Sequence, residues 1–269
     1  MSRAAGTPWT GGPGCAASGP DSSRHVVVAS GPWWASPRRS IGSGAGVGTV
    51  IAVLALTNVI DNRWAPSFRL LTAVLVSALL LGVLFRAGGT WADAGLDPST
   101  LGRGVRWALA LIGLVCVVYL AAALLPSTRS LFADQRYSGF TGGQVALRMV
   151  ITVPVGTVLL EEIAFRGVLY GLVDRARGVV WATLVSSGLF GLWHILPSLG
   201  LVAAKPRLVP VFGHSALGSV VADAGAVLLT AAAGVIFCEL RRRSGSLLAP
   251  MGLHWAVNAL GYLVGFLLR

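Results

Sequence analysis

The sequence predicts an all-α fold, a polytopic transmembrane helical bundle of about seven spans, and three observations predict it. Hydrophobic residues make up 55% of the 269 residues and charged residues only 12%, whereas soluble domains carry about 25% charged residues. The mean hydropathy is +0.75. Seven apolar segments approach or exceed the roughly 20 residues that a helix needs to cross a bilayer.

The spans and their connections follow in chain order. The predicted spans are residues 44–60, 69–86, 105–125, 144–173, 178–196, 217–240 and 247–267. A polar turn at residues 61–66 joins the first two spans, and its tryptophan is typical of a membrane interface. Residues 197–216 form the longest loop between spans, because their prolines and charges argue against another crossing.

Composition and charge divide the chain into three regions. Residues 1–40 are rich in Gly, Ser, Pro and Ala and lack a helical period, which predicts a disordered cytoplasmic tail. Residues 41–140 then form the N-terminal transmembrane spans, and residues 141–269 form a helical core that contains the polar motifs. Lys and Arg are more numerous on the side of the N-terminus. The positive-inside rule therefore predicts a cytoplasmic N-terminus in a multi-pass protein of the cell membrane.

The formal charge of +11 could indicate a nucleic-acid partner. No basic stripe alternates with stacking aromatic residues in a soluble segment, so we predict no nucleic acid and a lipid bilayer as the environment. The cysteines are scattered without C-x-x-C spacing, which argues against a zinc finger or a redox pair.

Two adjacent carboxylates are the most informative polar groups. Glu161 and Glu162 lie inside the apolar fourth span and are two of only three glutamates in the chain. An ionisable residue at the centre of a membrane helix costs about 2.5 to 3.5 kcal/mol on insertion scales. Residues four apart share a helix face, so we expect Glu162 to pair with Arg166. Glu161 has no local partner, which favours a functional role over a structural one.

Two more spans carry polar residues at helical spacing. Phe190 and His194 are four apart in the fifth span, and His254 and Asn258 are four apart in the seventh, so each pair shares a face. At about 1.5 Å per residue, Glu161, His194 and Asn258 lie roughly 18 to 24 Å from the predicted cytoplasmic ends of their spans, and His254 about 12 Å. We therefore expect these groups in one layer of the bilayer, in a cavity that is reached from the cytoplasm.

The chemistry that these groups favour is hydrolysis of a carbonyl compound. A desolvated carboxylate suits a general base that takes a proton from water. Asn and neutral His side chains can donate hydrogen bonds to the oxyanion that forms on the carbonyl oxygen. Alternatively, Glu161, His194 and His254 would hold a catalytic Zn²⁺ with an open water position. The sequence leaves both versions open.

Three ordered motifs carry a resemblance to a known family. They are Glu161-Glu162-x-x-x-Arg166, Phe190-x-x-x-His194 and His254-x-x-x-Asn258. Together they resemble the CAAX protease and bacteriocin-processing family of intramembrane proteases, also called CPBP or Abi. The similarity covers roughly residues 145–265, and residues 240–258 match the C-terminal signature of that family closely.

The resemblance implies an intramembrane endopeptidase with a CAAX-protease-like helical core, acting on membrane-associated proteins or peptides. It implies that Glu161 and His194 together activate the hydrolytic water. Glu162 and Arg166 would shape the site.

The resemblance further implies that His254 and Asn258 bind the oxyanion. In the eukaryotic members, the type 2 Ras-converting prenyl endopeptidases, the substrate is a prenylated protein that loses its last three residues. The family is usually labelled metalloprotease, so Zn²⁺ stays open as a cofactor. Two alternatives are a catalytically silent membrane protein with an immunity or interaction role and, in a different class, a proton-coupled transporter.

Overall fold

The computed structural model describes residues 42–129, 132, 139–205 and 208–268, and this part of the chain folds into helices without any strand. The long helices are α1 (Ser43–Val59), α2 (Arg69–Arg86), α3 (Leu101–Leu124), α4 (Gly142–Arg177), α5 (Val179–Trp193), α6 (Ala216–Ser244) and α7 (Leu248–Leu267). The predicted all-α membrane bundle is confirmed. The predicted disordered tail, residues 1–40, lies outside the described residues.

Each of the seven predicted spans coincides with a helix, but the helices differ in their ability to cross a bilayer. Within the described ranges, 5 helices are long and apolar enough to do so, namely Gly44–Trp64, Pro66–Arg86, Pro98–Leu124, Gly142–Arg177 and Ala216–Ser244. Helix α5 has only 15 residues. Helix α7 has 20 residues, and the polar His254 and Asn258 interrupt its apolar sequence.

Helix α4 is the central element of the bundle. All of its residues from 160 to 173 are buried, including the charged Glu161, Glu162 and Arg166. Around it, α1, α2 and α5 contact its C-terminal half, while α2 and α7 contact its N-terminal half. The outer pairs are α3 with α7 and α5 with α6. This arrangement places the two adjacent glutamates of α4 between helices on several sides.

The hydrogen bonding of α4 is irregular. The segments Arg148–Thr152, Pro154–Leu159 and Glu162–Leu169 are π-helical, with i→i+5 hydrogen bonds. Pro154 has no N–H to donate, which removes one regular helical bond at this point. Wider turns rise less per residue than an α-helix does, and π-helical turns are frequent at functional sites.

A loop closes the end of the bundle at which α2 ends and α3 begins. Arg241, near the end of α6, donates hydrogen bonds to the carbonyl oxygens of Ala92 at 2.8 Å and Asp93 at 3.2 Å. The Asp93 carboxylate forms an ion pair with Arg175 at 3.0 Å. The predicted sixth span ends at residue 240, which is wrong because α6 continues to Ser244, and Arg241 within it is only 8% exposed.

Candidate active site

A cavity of about 210 Å³ lies beside the N-terminal half of α4. Four of the predicted site residues line it, namely Glu161, His194, His254 and Asn258. Glu162 and Arg166 are fully buried and do not line it. The predicted site residues therefore divide into a group that faces the cavity and a group that lies behind it.

Glu161 contributes a carboxylate with one free oxygen to the cavity. Its side chain is buried, and Oε1 accepts a hydrogen bond from the indole Nε1 of Trp193 at 3.1 Å. Oε2 has no hydrogen-bond partner among the described residues. This oxygen lies 4.0 Å from Nε2 of His194 and 3.7 Å from Nε2 of His254. Three separate helices thus bring one carboxylate and two imidazoles together, as the sequence predicts.

His194 ends α5, and its backbone fixes the direction of its ring. Its φ of −86° and ψ of 2° leave the α-helical region at the point where α5 stops. Nδ1 lies 2.8 Å from the carbonyl oxygen of Phe190 and must donate to it, because a carbonyl oxygen only accepts. A neutral His194 therefore presents the lone pair of Nε2 to Glu161. Phe190 packs against the His194 ring, with centroids 4.6 Å apart.

Behind the cavity, Glu162 accepts hydrogen bonds from two side chains. Its Oε1 accepts from Nη1 of Arg166 at 3.2 Å and from Nδ1 of His254 at 2.7 Å. The predicted pairing of Glu162 with Arg166 is therefore present, with both side chains fully buried. The Arg166 guanidinium also lies 3.8 Å from the ring centroid of Phe190 and 4.8 Å from that of Phe237. These rings offset part of the cost of a buried cation whose Nε and Nη2 form no hydrogen bond with any residue that the structure describes.

His254 lies between the two carboxylates of α4. Nδ1 of its ring is 2.7 Å from Glu162 Oε1, and Nε2 is 3.7 Å from Glu161 Oε2. Because a carboxylate oxygen only accepts, Nδ1 donates to Glu162. A neutral ring in this tautomer carries a lone pair at Nε2, so that Glu161 Oε2 and the Nε2 atoms of both histidines are acceptors in the cavity.

This result corrects one expectation from the sequence. A neutral His254 cannot donate to an oxyanion here, because a neutral ring that donates from Nδ1 to Glu162 has only a lone pair at Nε2. Only the protonated ring provides an N–H at Nε2. Asn258, one turn further along α7, is half-buried, lines the same cavity and forms no hydrogen bond through its amide within the described ranges. The Asn258 amide is therefore available as a donor to a bound ligand, and His254 is available only when its ring carries a second proton.

Glu161 Oε2 is farther from the Nε2 atoms of His194 and His254 than the ligand atoms of a tetrahedral zinc site are from one another. A Zn²⁺ about 2.0 to 2.1 Å from each ligand would place the ligand atoms about 3.3 Å apart. The separations from Glu161 Oε2 are 3.7 and 4.0 Å. Among the described residues, no group of three or more His, Cys, Asp or Glu side chains has a geometry that could hold a metal ion. A water molecule with hydrogen bonds of about 2.8 Å fits these separations.

The cavity also contains side chains that the sequence did not reveal as part of a site. Trp193 binds Glu161, and Asp61, Arg69 and Arg148 line the cavity wall. Asp61 was assigned to a polar turn, but α1 continues as a π-helical turn over Ile60–Trp64, and Asp61 is only 3% exposed. An acid directly after an apolar run was the available signal, and it is weaker than the signal that identified Glu161, which lies inside such a run.

The position of the cavity makes two predictions incompatible. Its lining includes Asp61 after α1, Arg69 at the start of α2 and Arg148 early in α4, and α1 to α4 are all long and apolar enough to cross the membrane. Successive spanning helices run in opposite directions, so these positions lie on one side of the membrane. A cytoplasmic N-terminus puts that side outside the cell. A cytoplasmic N-terminus and a cavity reached from the cytoplasm therefore cannot both hold.

The fold and the site define a multi-pass membrane protein with a buried carboxylate–imidazole centre. Residues 143–260 match the family model described as Rce1-like, type II CAAX prenyl endopeptidase. The matched region includes every predicted site residue, from Glu161 to Asn258. This region, which is less than half of the 269 residues, is therefore similar to the CPBP/Abi group of CAAX-type membrane proteases. No curated protein and no solved structure matches the chain.

Proposed function

We propose that this protein is an intramembrane endopeptidase that hydrolyses peptide bonds of membrane-associated proteins or peptides with a water molecule activated by Glu161 and His194. The observation that carries the proposal is the position of Glu161 Oε2, a buried carboxylate oxygen without a hydrogen-bond partner among the described residues, within 4.0 Å of one imidazole and 3.7 Å of another. Glu162 Oε2 is also without such a partner, but Glu162 does not line the cavity.

The first step is attack by water on the scissile carbonyl. The water donates its hydrogens to Glu161 Oε2 and His194 Nε2 and directs a lone pair at the carbonyl carbon. As the new C–O bond forms, one proton passes to Glu161, and the carbonyl oxygen becomes an oxyanion. Positioned general bases of this kind contribute about 10² to 10⁴ in rate.

Stabilisation of the oxyanion is assigned to α7. The Nε2–H of a protonated His254 and the amide of Asn258 are the two available donors, and a fixed donor of this type accounts for about 10² to 10³ in rate. Glu162 holds the His254 ring through Nδ1 and balances its charge. Arg166 in turn fixes Glu162.

Collapse of the tetrahedral intermediate completes the reaction. The carbonyl re-forms, the C–N bond breaks, and the leaving nitrogen takes the proton that Glu161 received. The products are a carboxylic acid and an amine, and Glu161 returns to its ionised form.

The donor spacing supports activation of the water without a metal. Should the side chains close around a Zn²⁺, Glu161, His194 and His254 would hold it, and it would supply Lewis-acid activation of water. Metal analysis of the purified protein and activity after exhaustive chelation separate the two versions.

The face of the membrane from which the substrate enters follows from the orientation of the chain. Arg63 is exposed beside the cavity-lining Asp61 and Asn62. An Arg63→Cys variant in intact cells, treated with a membrane-impermeant maleimide, reacts if the cavity side is outside and is protected if that side is cytoplasmic. The result decides which of the two incompatible predictions is wrong.

The proposal is tested with purified full-length protein in lipid vesicles that contain a panel of membrane-tethered peptides. New peptide termini are detected by mass spectrometry. We expect cleavage by the natural sequence and a loss of at least about 100-fold in Glu161→Ala and His194→Ala. Glu239→Ala is the matched control, because Glu239 lies on α6 and pairs with Arg242 and Arg243 away from the cavity.

Two results would contradict the proposal. Undiminished cleavage by Glu161→Ala would remove Glu161 from the mechanism. Binding of peptides without cleavage of any of them by the natural sequence would favour the catalytically silent interaction protein.

A further inference from the structure

Arg148 is a cavity-lining cation that the proposed reaction does not use. It lies on α4, is half-buried and lines the same cavity as Glu161. Its guanidinium carbon lies 4.2 Å from the ring centroid of Phe140 and 5.7 Å from that of Tyr262. Its guanidinium forms no hydrogen bond or ion pair with any described residue.

Stacking of the Arg148 guanidinium on the Phe140 ring leaves the N–H groups at its edge available for hydrogen bonds. An aromatic ring covers a face of the planar guanidinium and restricts its orientation, while the N–H groups point outward in the plane. Parallel N–H donors in this arrangement match the two oxygens of a carboxylate. A guanidinium held in this way, without an acid as its partner among the described residues, can bind an anionic group of a ligand.

The two acids that line the cavity, Asp61 and Glu161, have partners other than Arg148. Among the described residues, Asp61 lies beside Arg69, whose Nη2 is 3.4 Å from the Asp61 carbonyl oxygen. The other acid that lines the cavity, Glu161, accepts a hydrogen bond from Trp193 and lies beside His194 and His254. Neither of these two acids forms an ion pair with Arg148, so a carboxylate of a ligand can bind its N–H groups.

We propose that Arg148 binds a carboxylate group of the substrate and thereby selects peptides that carry such a group close to the bond to be cut. Glu161 follows Arg148 by 13 residues on α4. At no more than about 1.5 Å per residue, the two positions are at most about 20 Å apart along the helix. An extended peptide advances about 3.3 Å per residue, so the carboxylate lies within about six residues of the cleaved bond.

The carboxylate can come from the C-terminus of a peptide or from an Asp or Glu side chain. The inference rests on the proposed function only in taking the cavity as the place where the peptide binds. Direct binding measurements therefore test it without any cleavage.

The experiment uses full-length protein carrying Glu161→Ala in detergent micelles, so that bound peptide is not consumed. Three fluorescent N-dodecanoyl hexapeptides of the same apolar sequence serve as probes: a free C-terminal acid, its C-terminal amide, and the amide with one internal Glu. Fluorescence anisotropy gives Kd for each probe. Arg148→Gln and Arg148→Lys are compared in this background with Arg63→Gln, a control at an exposed arginine outside the cavity.

We expect at least one carboxylate probe to bind about 10-fold or more tightly than the neutral amide. Arg148→Gln removes that preference, Arg148→Lys keeps part of it, and Arg63→Gln keeps all of it. Preference for the free acid alone identifies the C-terminus as the source, and preference for the internal Glu identifies a side chain.

Equal binding of all three probes by the protein with Arg148 intact overturns the inference, whether or not the variants fold. An equal loss for acid and amide in Arg148→Gln also overturns it, because that loss would be structural. A preference for carboxylate that depends on Arg148, in a protein that cleaves nothing, would leave this inference standing while the proposed function fails.

Discussion

Replacement of Glu162 by Gln separates the charge of this residue from its shape. Glu162 is fully buried and accepts from both Arg166 at 3.2 Å and His254 at 2.7 Å. Gln is nearly isosteric and its Oε1 can still accept from Nδ1 of His254. The Arg166 guanidinium, however, remains charged and fully buried without an anion.

The expected cost of Glu162→Gln follows from that uncompensated cation. Breaking a buried ion pair on one side costs about 3 to 5 kcal/mol. We expect about 3 kcal/mol, at the lower end, because the Phe190 ring at 3.8 Å still attracts the guanidinium. The double variant Glu162→Gln, Arg166→Met removes the buried charge as well and should recover most of this stability, since apolar replacements of buried pairs are often neutral.

The free energy of unfolding is measured by titration with SDS in mixed micelles for the natural sequence, both single variants and the double variant. Peptidase activity is measured in parallel. The double variant should remain at least about 10-fold less active than the natural sequence despite its stability, because a neutral Gln holds the His254 ring less strongly at Nδ1 than a carboxylate does. A loss below about 1 kcal/mol in Glu162→Gln, or a double variant as unstable as that single variant, would refute the buried-charge reasoning.

Three further predictions concern packing, positioning and cofactor. Gly252→Val should destabilise the protein by about 1 to 3 kcal/mol, because a Cβ there would lie 2.6 Å from the Cβ and 2.8 Å from the Cα of Ala108 on α3. Gly261→Ala is the control in the same unfolding assay. Its added Cβ meets nothing within 4 Å, so this variant should be neutral or stabilising. Trp193→Phe should lower kcat by about 10-fold or more with little change in KM, because it removes the 3.1 Å hydrogen bond to Glu161; an unchanged kcat would show that this bond does not position the carboxylate. Peptidase activity should survive exhaustive chelation and dialysis, and recovery only on addition of Zn²⁺ would favour the metal version.

The sequence predicted the bundle well because each span leaves a local signal. Apolar length alone located seven helices, and i, i+4 spacing alone predicted the Glu162–Arg166 pair. The predicted ends of the helices were less accurate than their positions in the chain. The fifth span was predicted to reach residue 196, but His194 leaves the helical conformation after Trp193.

The pairings within the site depend on tertiary packing and had no local signal. Glu162 and His254 are 92 residues apart, and Glu161 and Trp193 are 32 apart. The predicted depths of Glu161 and His254 also differed, although the structure places their side chains 3.7 Å apart. The π-helical segment Glu162–Leu169 explains part of this difference, because its lower rise per residue makes Glu161 shallower than a regular α-helix would.

Hydrolysis in H₂¹⁸O tests most directly whether Glu161 and the two histidines activate water. A membrane-tethered peptide that the natural sequence cleaves should gain one ¹⁸O in its new carboxyl group, and Glu161→Gln should form this labelled product at least about 100-fold more slowly while retaining its fold. Equal rates of ¹⁸O incorporation by the two proteins would contradict the assignment of Glu161 as the base.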